Sequence, residues 1–427
     1  MELADWLQRI EQQHPIKWDL GLARVGEVGR RLGVLTPAPL TFLVAGTNGK
    51  GSTCEYITQL CRAQHLKVGK STSPHLRRFN ERIEIDGEPA SDALICGAFE
   101  TIDQARAEIS LTYFEYGTLA ALVIFKQLAV DVAVLEIGLG GRLDAMNIVD
   151  PDVSVITRIA LDHQSWLGDT RELIGAEKAG ILRAGIPCVL VDRAPPVSIL
   201  EQAKALQVPL YALGIDFDHT EASLWMTHEG EHLAHAGLPA LNLPADSLVA
   251  ACQAVACAGL AVSHPDIQLA AEAGQVPGRF QLLAWPRRTI LDVAHNPDAA
   301  AYLRDKLQAR LQQLPQVGRC HAVVGMYADK DYAGVLDLLA PLVSHFYCTD
   351  MDESRAASAT LLAEHLTNLG GSVVSSYAKI AQAYRAAVQQ CADEDYILVF
   401  GSFPVVAGVL DVVAERRPDE AAIQGPE

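Results

Sequence analysis

A glycine-rich segment between a strand pattern and a helix pattern most constrains the fold of this chain. Residues 46–52 read GTNGKGS; the apolar run LTFLVA precedes them and a helical stretch from Thr53 to Gln64 follows. In such a loop, backbone N–H groups close around phosphate, Lys50 reaches the β and γ phosphates, and Ser52 faces Mg²⁺. The spacing departs from the general P-loop, because only two residues separate the first two glycines and Gly51 precedes the hydroxyl. The alternative is an ordinary glycine turn with a solvated lysine, but the flanking strand and helix favour nucleotide binding.

Strand-like and helix-like patterns alternate along the rest of the first half. VAVLEIG precedes LGGRLDAMN, and VSVIT follows the break at Asp150 and Pro151 and leads into ALDH at residues 160–163. This alternation predicts an α/β fold in which helices cover a mainly parallel sheet. Open α/β sheets bind ligands at the carboxyl ends of their strands, so we expect the functional groups to gather there.

A second α/β cycle begins after PGRF at residues 277–280. TILDVAH is strand-like, Asn296 and Pro297 suit the N-cap and first turn of a helix, and DAAAYLRDKLQARL is helix-like. The strand patterns HAVVGM, HFYCT and YILVFGS follow. We therefore predict a P-loop ATPase-type N-terminal domain over residues 1–282 and a smaller Rossmann-like C-terminal domain over residues 283–427.

Composition narrows the possible partners and location. The chain has 427 residues, enough for two cores, and a formal net charge of -18. Nucleic acids and anionic membranes need basic patches, so neither is expected as a partner. The acidic start MELADWLQRIEQQ and the lack of an apolar run near about 20 residues predict a cytoplasmic protein without signal peptide or anchor. The nine scattered cysteines include no CxxC pair, which favours reduced thiols over disulfides or a zinc site.

Three side chains near the predicted strand ends are candidate metal ligands. Glu136 ends the apolar run VAVLE, where a carboxylate is costly unless it is paired with a metal or a basic side chain. Mg²⁺ prefers oxygen ligands, so a metal is a reasonable partner, and a salt bridge to arginine or lysine is the alternative. Ser73 in STSPH and His163 in ALDH are weaker candidates when taken singly.

Nine ordered motifs resemble one known family. They are GTNGKGS, TSPHL (72–76), SLTYFEYGTLAAL (110–122), LEIGLGGRLDAMN (135–147), ALDH, EKAGI (177–181), PGRFQ (277–281), DVAHNP (292–297) and GSF (401–403). Together they span nearly the whole chain and resemble the Mur ligase superfamily, and within it the bacterial bifunctional dihydrofolate synthase/folylpolyglutamate synthases. So many matches in order are far more specific than the phosphate loop alone.

The resemblance implies a role for each matching residue. The nucleotide-binding positions would be Gly46, Thr47, Asn48, Gly49, Lys50, Gly51, Ser52, Asp246, Arg279 and Asp292. Ser73, Glu136 and His163 would hold two Mg²⁺ ions. Asp246 departs from the family, which usually has a nucleotide-contacting asparagine where this chain reads LPADSLVAA. An aspartate accepts hydrogen bonds from an adenine amino group but cannot donate, so the contact is altered or the alignment slips there.

The resemblance also assigns two catalytic residues besides Lys50. Lys178 in EKAGI matches a lysine that is carbamylated in this family, a modification that needs a neutral amine and turns a cation into an anionic metal ligand. The alternative is an unmodified lysine that binds phosphate directly. His295 in DVAHNP matches a histidine near the reacting end of the substrate.

For the pterin-bearing substrate, the resemblance points to three short segments. Their residues are Lys17, Trp18, Asp19, Leu20, Thr112, Tyr113, Phe114, Glu115, Leu143, Asp144 and Ala145. Aromatic rings such as that of Phe114 can stack on a flat heterocycle, although rings at such spacing equally suit a protein core.

The family implies an ATP-dependent amide ligase with small-molecule substrates. We expect it to add L-glutamate to dihydropteroate and to the glutamyl side chain of reduced folates. Folylpolyglutamate synthesis alone is one alternative. A peptidoglycan-precursor ligase ranks lower, because the stretch before the phosphate loop is short for the separate UDP-binding domain of those enzymes. A nucleotide-dependent switch without ligase activity is the alternative from another class, and a monomer is the default.

Overall fold

The computed structural model of the chain describes residues 1–14, 19–228, 230–312 and 318–416, and it divides into two compact units. The first unit is Met1–Gln275 and the second is Val276–Glu427. The boundary expected from the sequence, between residues 282 and 283, falls inside the second unit. The reason is that the strand Gln281–Leu283 pairs with a strand of the second unit, so residues on both sides of that boundary share one sheet.

The N-terminal unit is built on an eight-stranded sheet in the order β4-β3-β2-β5-β1-β6-β7-β8. Strands β2, β5, β1, β6, β7 and β8 pair in parallel, and β3 and β4 add an antiparallel edge. The strands are β1 (Leu40–Ala45), β2 (Val68–Ser71), β3 (Ile83–Ile85), β4 (Glu88–Pro89), β5 (Val132–Glu136), β6 (Val153–Ile156), β7 (Cys188–Leu190) and β8 (Leu210–Ala212). The continuous apolar runs in β1, β5 and β6 suit strands that helices cover on both faces.

Among the described residues of this unit, ten helices and a small antiparallel sheet accompany the large sheet. The helices are α1 (Leu3–Gln13), α2 (Ala23–Leu32), α3 (Lys50–Ala63), α4 (Asp92–Arg106), α5 (Tyr113–Gln127), α6 (Gln164–Leu167), α7 (Arg171–Ala179), α8 (Val197–Ala205), α9 (Ala245–Cys257) and α10 (His264–Ala273). The small sheet, in the order β11-β10-β9, consists of β9 (Phe217–His219), β10 (Ser223–His228) and β11 (Glu231–Ala236). Two 3₁₀ turns span Phe79–Arg82 and Ala145–Ile148.

The C-terminal unit has its own six-stranded sheet in the order β12-β13-β17-β14-β15-β16. Only the β12 and β13 pair is antiparallel. The strands are β12 (Gln281–Leu283), β13 (Thr289–Leu291), β14 (Cys320–Val324), β15 (His345–Thr349), β16 (Val373–Tyr377) and β17 (Tyr396–Phe400). The helices are α11 (Pro297–Gln312), α12 (Tyr332–Leu339), α13 (Ala359–Leu369), α14 (Ile380–Gln390) and α15 (Phe403–Arg416), with a 3₁₀ turn at Ala340–Leu342. The predicted α/β class with mainly parallel sheets is thus confirmed.

The parallel arrangement brings the motif-bearing loops of the N-terminal unit to one edge. Strands β2, β5, β1 and β6 lie side by side, and the segments containing Ser73, Glu136, Gly46 and His163 come at or after their carboxyl ends. Within the described ranges, no helix is long and apolar enough to cross a membrane.

Candidate active site

The phosphate loop connects β1 to α3 and is anchored to the chain that follows β6. Gly46 and Gly49 have φ angles of 144° and 93°, a region that glycine adopts without strain. The Thr47 amide donates to the Arg158 carbonyl at 2.9 Å, and the Thr47 hydroxyl donates to the Ala160 carbonyl at 3.2 Å. Helix α3 begins at Lys50 rather than at Thr53, because Gly49 already serves as its N-cap. The loop therefore presents a helix N-terminus, as a phosphate site requires.

Lys50 and Glu136 lie close together beside this loop. Glu136, the last residue of β5, is 6% exposed, and its Oε1 is 3.9 Å from the Lys50 Nζ. The Lys50 Nζ also donates to the Thr47 carbonyl at 3.2 Å. The Ser73 amide donates to Glu136 Oε2 at 3.1 Å, which joins the ends of the adjacent strands β2 and β5. A basic partner and a neighbouring hydroxyl residue are thus both present around this buried carboxylate.

These residues fit a hard divalent cation in part. Ser73 and Glu136 bring hydroxyl and carboxylate oxygens to adjacent strand ends, the donor types that Mg²⁺ prefers. His163 immediately precedes α6, and its Nε2 lies 3.9 Å from an Asp162 oxygen. Across the described part of the chain, no group of three or more His, Cys, Asp or Glu side chains is arranged to hold a metal ion. A cation here would therefore take part of its coordination from hydroxyl, phosphate or water oxygens.

Lys178 is buried and directly contacts the phosphate loop. The side chain comes from the last turn of α7, and its Nζ donates to the Gly46 carbonyl at 2.7 Å. Burial and then the charge of Lys50 lower the pKa of this amine to about 7, although Asp162 and Asp144 oppose the shift. A lysine with this pKa is substantially neutral near pH 7, which makes its nitrogen a nucleophile.

Two motifs far apart in the sequence pack together to position Lys178. The Arg142 amide donates to the Glu177 carbonyl at 2.8 Å, and their side chains form an ion pair at 2.8 Å. The Asn147 side-chain amide donates to the Gly180 carbonyl at 3.1 Å. A Cβ on Gly141 would lie 2.8 Å from the Glu177 carbonyl oxygen, so only glycine allows this close approach.

Within the same loop, the three predicted pterin contacts differ in exposure. Leu143 is half-buried, whereas Asp144 and Ala145 are buried. The Asp144 carboxylate accepts from the Leu139 amide at 2.8 Å and the Met146 amide at 2.9 Å, and burial raises its pKa to about 6. Asp144 therefore holds the backbone of this loop in place through the amides of Leu139 and Met146.

The two other predicted pterin segments are joined by Arg24. Its guanidinium lies 2.6 Å from Asp19 Oδ2 and donates to Glu115 Oε1 at 3.2 Å. Thr112 caps α5, because its hydroxyl accepts from the Glu115 amide while the Glu115 carboxylate accepts from the Thr112 amide at 2.7 Å. Leu20 packs against the core, and Lys17 and Trp18 lie outside the described residues. Arg24 was missed by sequence reasoning, since a lone arginine in a helix carries no distinguishing pattern.

The aromatic residues at the start of α5 are half-buried. The Tyr113 ring meets the Phe79 ring edge-on at 5.7 Å, and Arg82 lies over Tyr113 at 5.6 Å. The Phe114 ring occupies the space beside Gly138, where a Cβ would lie 2.5 Å from Cζ. Both rings pack against the core, so core packing and substrate stacking both remain open for them.

Asp246 lies in the first turn of α9 and already has a partner. Its Oδ1 is 2.8 Å from the His219 Nε2 and 3.7 Å from the Arg193 Nη2. The hydrogen bond to Asp246 raises the pKa of His219. The neighbouring Ser247 reaches the phosphate loop, since its Oγ is 3.5 Å from the position that a Cβ on Gly49 would take. The first turn of α9 is therefore adjacent to the loop, although the contact of Asp246 itself with a nucleotide stays a prediction.

In the C-terminal unit, three motifs converge around Asp292. Its buried carboxylate accepts from the Phe280 amide at 2.9 Å and the Ala294 amide at 2.8 Å. Burial raises the pKa of Asp292, whereas the nearby charge of Arg279 lowers it. The Arg279 guanidinium stacks on the Phe403 ring at 5.2 Å, which brings PGRFQ and GSF together.

His295 and Lys306 lie in the same part of the C-terminal unit. The His295 Nδ1 donates to the Val293 carbonyl at 2.8 Å, and its ring centroid is 6.5 Å from that of Phe403. Burial lowers the pKa of Lys306 to about 8, and Asp292 opposes the shift. Sequence reasoning missed Lys306, because it lies on a regular helix with no motif around it.

Comparisons with known proteins agree with this geometry. Residues 44–233 match the Mur ligase middle domain, and residues 278–403 match the Mur ligase glutamate ligase domain. The Dihydrofolate synthase/folylpolyglutamate synthase of Escherichia coli (strain K12) is 44% identical over 97% of this chain and 96% of its own length.

Two solved structures extend the match to three dimensions. E. coli FolC in complex with DHPP and ADP is 43% identical, with a TM-score of 0.92, over 98% of this chain and 99% of that one. A bifunctional folylpolyglutamate synthase/dihydrofolate synthase with Mn, AMPPNP and L-glutamate bound is 43% identical, with a TM-score of 0.89, over 97% and 98%. The chain therefore belongs to the dihydrofolate synthase/folylpolyglutamate synthase family of the Mur ligases.

Proposed function

We propose that this chain is an ATP-dependent ligase that joins L-glutamate to two acceptors. Dihydropteroate would become dihydrofolate, and the glutamyl side chain of a reduced folate would be extended to a polyglutamate. The observation that carries the proposal is the contact between Lys178 and the Gly46 carbonyl, which places an amine with a pKa of about 7 at the phosphate loop. Family membership supports the substrates, since relatives of this name bind DHPP, L-glutamate and adenine nucleotides.

The reaction needs an activated acyl group, because a carboxylate does not react with an amine at neutral pH. The acceptor carboxylate attacks the γ-phosphorus of ATP, the bond to the β-phosphate oxygen breaks, and an acyl phosphate and ADP form. The glutamate amine then attacks the acyl carbon to give a tetrahedral intermediate. Its collapse forms the amide and expels phosphate, and the nitrogen loses its extra proton. Lys50 and the amides of the phosphate loop would stabilise the charge on the transferring group.

The divalent cation would be held by Ser73, Glu136 and His163, with two ions expected. When bound, it supplies positive charge to the phosphate oxygens. To test this role, Glu136→Ala should lower phosphate release by at least about 100-fold, the loss typical of removing one charge-stabilising group. Glu201→Ala, on the exposed face of α8, is the matched control and should leave the rate unchanged. Near-normal turnover of Glu136→Ala would refute the assignment.

Carbamylation of Lys178 is proposed on the basis of its environment. A neutral amine attacks carbon dioxide, an N–C bond forms and a proton leaves, so the group becomes anionic. Burial and the neighbouring Lys50 favour this change, because both disfavour the ammonium form. Labelled ¹³C-bicarbonate should give a carbamate signal in the NMR spectrum of the wild type that Lys178→Ala lacks. Equal spectra would favour the alternative, an unmodified lysine that binds phosphate.

The C-terminal unit is proposed to bind glutamate, to contribute Arg279 and Asp292 to the nucleotide site and to contribute His295 to catalysis. Its match to the glutamate ligase domain supports the glutamate role. Asp246 is proposed as a nucleotide contact, and the three pterin segments as the binding surface for the acceptor. The molecule is further proposed to be a cytoplasmic monomer without nucleic-acid or membrane partners; sedimentation analysis would test the monomer.

Phosphate release by the purified protein with MgATP and L-glutamate tests the whole proposal. Three arms contain dihydropteroate, tetrahydrofolate or no acceptor, and product masses are recorded. Release and a glutamyl mass increment on both acceptors would establish two activities. Turnover on tetrahydrofolate alone would leave a folylpolyglutamate synthase. No phosphate release, or ATP hydrolysis at the same rate with and without an acceptor, would support the nucleotide-dependent switch.

A further inference from the structure

Thr157 packs directly against the phosphate loop. It follows β6, and its amide donates to the Ala45 carbonyl at 2.8 Å, so it lies beside Gly46 in the sheet. A Cβ on Gly46 would lie 1.7 Å from the Thr157 Oγ1, and a Cβ on Gly49 would lie 3.9 Å from the Thr157 Cβ. Gly46 and Gly49 of the loop therefore both approach this one side chain.

The hydroxyl of Thr157 is an exception among the polar groups around the loop. The side chain is 2% exposed, and no described residue forms a hydrogen bond with Oγ1. The Thr47 hydroxyl, by contrast, donates to the Ala160 carbonyl. Valine has nearly the shape of threonine and would fill the same space without burying a polar atom. A buried hydroxyl without a partner destabilises a protein. The Thr157 hydroxyl lies directly against Gly46 of the phosphate loop, so a ligand of that loop is the partner to consider.

The bound nucleotide is the state that supplies such a partner. Phosphate oxygens are strong hydrogen-bond acceptors, and the backbone amides of such a loop form a binding site for them. The Ser247 Oγ also approaches Gly49, so hydroxyls from β6 and α9 meet at the same loop. We propose that Thr157 is a positioning residue of the nucleotide site, whose hydroxyl gains its hydrogen-bond partner when ATP or ADP binds. This inference rests on the nucleotide site of the proposed function.

Thr157→Val and Thr157→Ser separate the hydroxyl from the shape of the side chain. For Thr157→Val we expect an unchanged or raised melting temperature without nucleotide, because an unsatisfied hydroxyl is removed. The increment in melting temperature caused by MgADP should shrink, and Kd for MgADP should rise about tenfold, equivalent to about 1.4 kcal/mol. KM for ATP should rise with it, with a smaller change in kcat. Thr157→Ser should restore Kd to within about threefold of the wild type, since it keeps the hydroxyl.

Thr118→Val is the matched control. Thr118 is also a buried threonine whose hydroxyl has no partner among the described residues, but it lies in helix α5 and not in the segment after β6. Its replacement should shift the melting temperature equally with and without MgADP. If Thr157→Val does not fold, Thr157→Ala compared with Thr157→Ser isolates the same hydroxyl.

Two failures are distinguishable. If MgADP raises the melting temperature of the wild type and of Thr157→Val by the same amount, the inference about Thr157 is overturned and the nucleotide site is not. No MgADP increment in the wild type would overturn the nucleotide site of the proposed function and the inference with it.

Discussion

Two buried lysines in the N-terminal unit have opposite electrostatic environments. Lys70, in β2, lies with its Nζ 2.5 Å from Glu55 Oε2 and 2.8 Å from Glu84 Oε2. Burial acts to lower its pKa, but the two carboxylates outweigh burial and raise it. Lys178, at the phosphate loop, donates to a carbonyl, and burial together with the charge of Lys50 lowers its pKa to about 7.

The difference shows that the partner, and not burial, decides what a buried lysine does. Lys70 and Lys178 are 6% and 4% exposed, so their loss of hydration is similar. Carboxylates on α3 and β3 keep Lys70 charged and connect the phosphate-loop helix to the edge of the sheet. Without a carboxylate in contact, the amine of Lys178 is available for chemistry.

Breaking the Lys70 cluster should have the largest effect on stability. Lys70→Met leaves the buried Glu55 and the half-buried Glu84 without their cation, and the free energy of unfolding should fall by about 3–5 kcal/mol. Urea unfolding of the full chain measures this. Adding Glu55→Gln and Glu84→Gln to Lys70→Met should recover most of the loss. If Lys70→Met unfolds at the wild-type urea concentration, the cluster does not stabilise the sheet edge.

Replacing Lys178 should affect turnover rather than stability. Lys178→Met should lower phosphate release by about 10²- to 10³-fold, because the amine that contacts the phosphate loop, and that is proposed to be carbamylated, is lost. Its free energy of unfolding should not fall, since a desolvated amine is replaced by an apolar chain. Lys204→Met, exposed on α8, is the control for removing a lysine. Turnover within threefold of the wild type would contradict a catalytic role.

Displacing the loop that positions Lys178, by Gly141→Ala, should have an intermediate effect on stability and turnover. In Gly141→Ala the new Cβ would lie 2.8 Å from the Glu177 carbonyl and 3.0 Å from the Lys178 Cα. Backbone must shift, so we expect a loss of about 1–3 kcal/mol in the free energy of unfolding, with lower turnover. Gly97→Ala in α4 is the control, because its Cβ would meet nothing within 4 Å. Equal stability of Gly141→Ala and the wild type would show that this contact is loose.

The smallest expected effect is the change of the free energy of unfolding with pH, and it tests the protonation of Lys178 directly. The pKa of Lys178 is about 7 when folded and 10.5 ordinarily, so the unfolded chain binds more protons above pH 7 and stability should rise with pH. The slope contributed by Lys178 is at most about 1.4 kcal/mol per pH unit. Lys306, with a pKa of about 8, adds a slope of the same sign.

Urea unfolding of the wild type and of Lys178→Met should be compared at roughly pH 7.0, 7.7 and 8.5, the range in which the protonation of Lys178 affects stability. The buffer should be free of carbon dioxide. The difference between the two proteins isolates Lys178 from Lys306. Lys70 contributes no slope in this window, because its pKa is raised and it stays charged in both states. Parallel curves for the two proteins would mean that Lys178 is charged in the folded state.

Much of the site could be predicted from local patterns, and the rest depended on distant contacts. Gly46 to Ser52 followed a strand and opened a helix as expected, although α3 begins at Lys50. Glu136 ends β5 as predicted. The contact of Arg24 with Glu115 was not predictable, because the two residues are 91 positions apart. The lowered pKa of Lys306 was not predictable either, because it depends on burial in the folded chain. The two compact units divide between Gln275 and Val276 and not at the predicted boundary of 282 and 283, because the pairing of β12 with β13 is not visible in the sequence.

The sequence by itself determined the α/β class, the phosphate loop and the family, since strand alternation and ordered motifs are local properties of the chain. Only the tertiary structure decided which buried groups are charged. The Gly46 carbonyl lies 132 residues from Lys178, and Glu55 lies 15 residues from Lys70. A pKa depends on the desolvation and the charges that folding places around a group, so the protonation of these two lysines is a property of the folded chain.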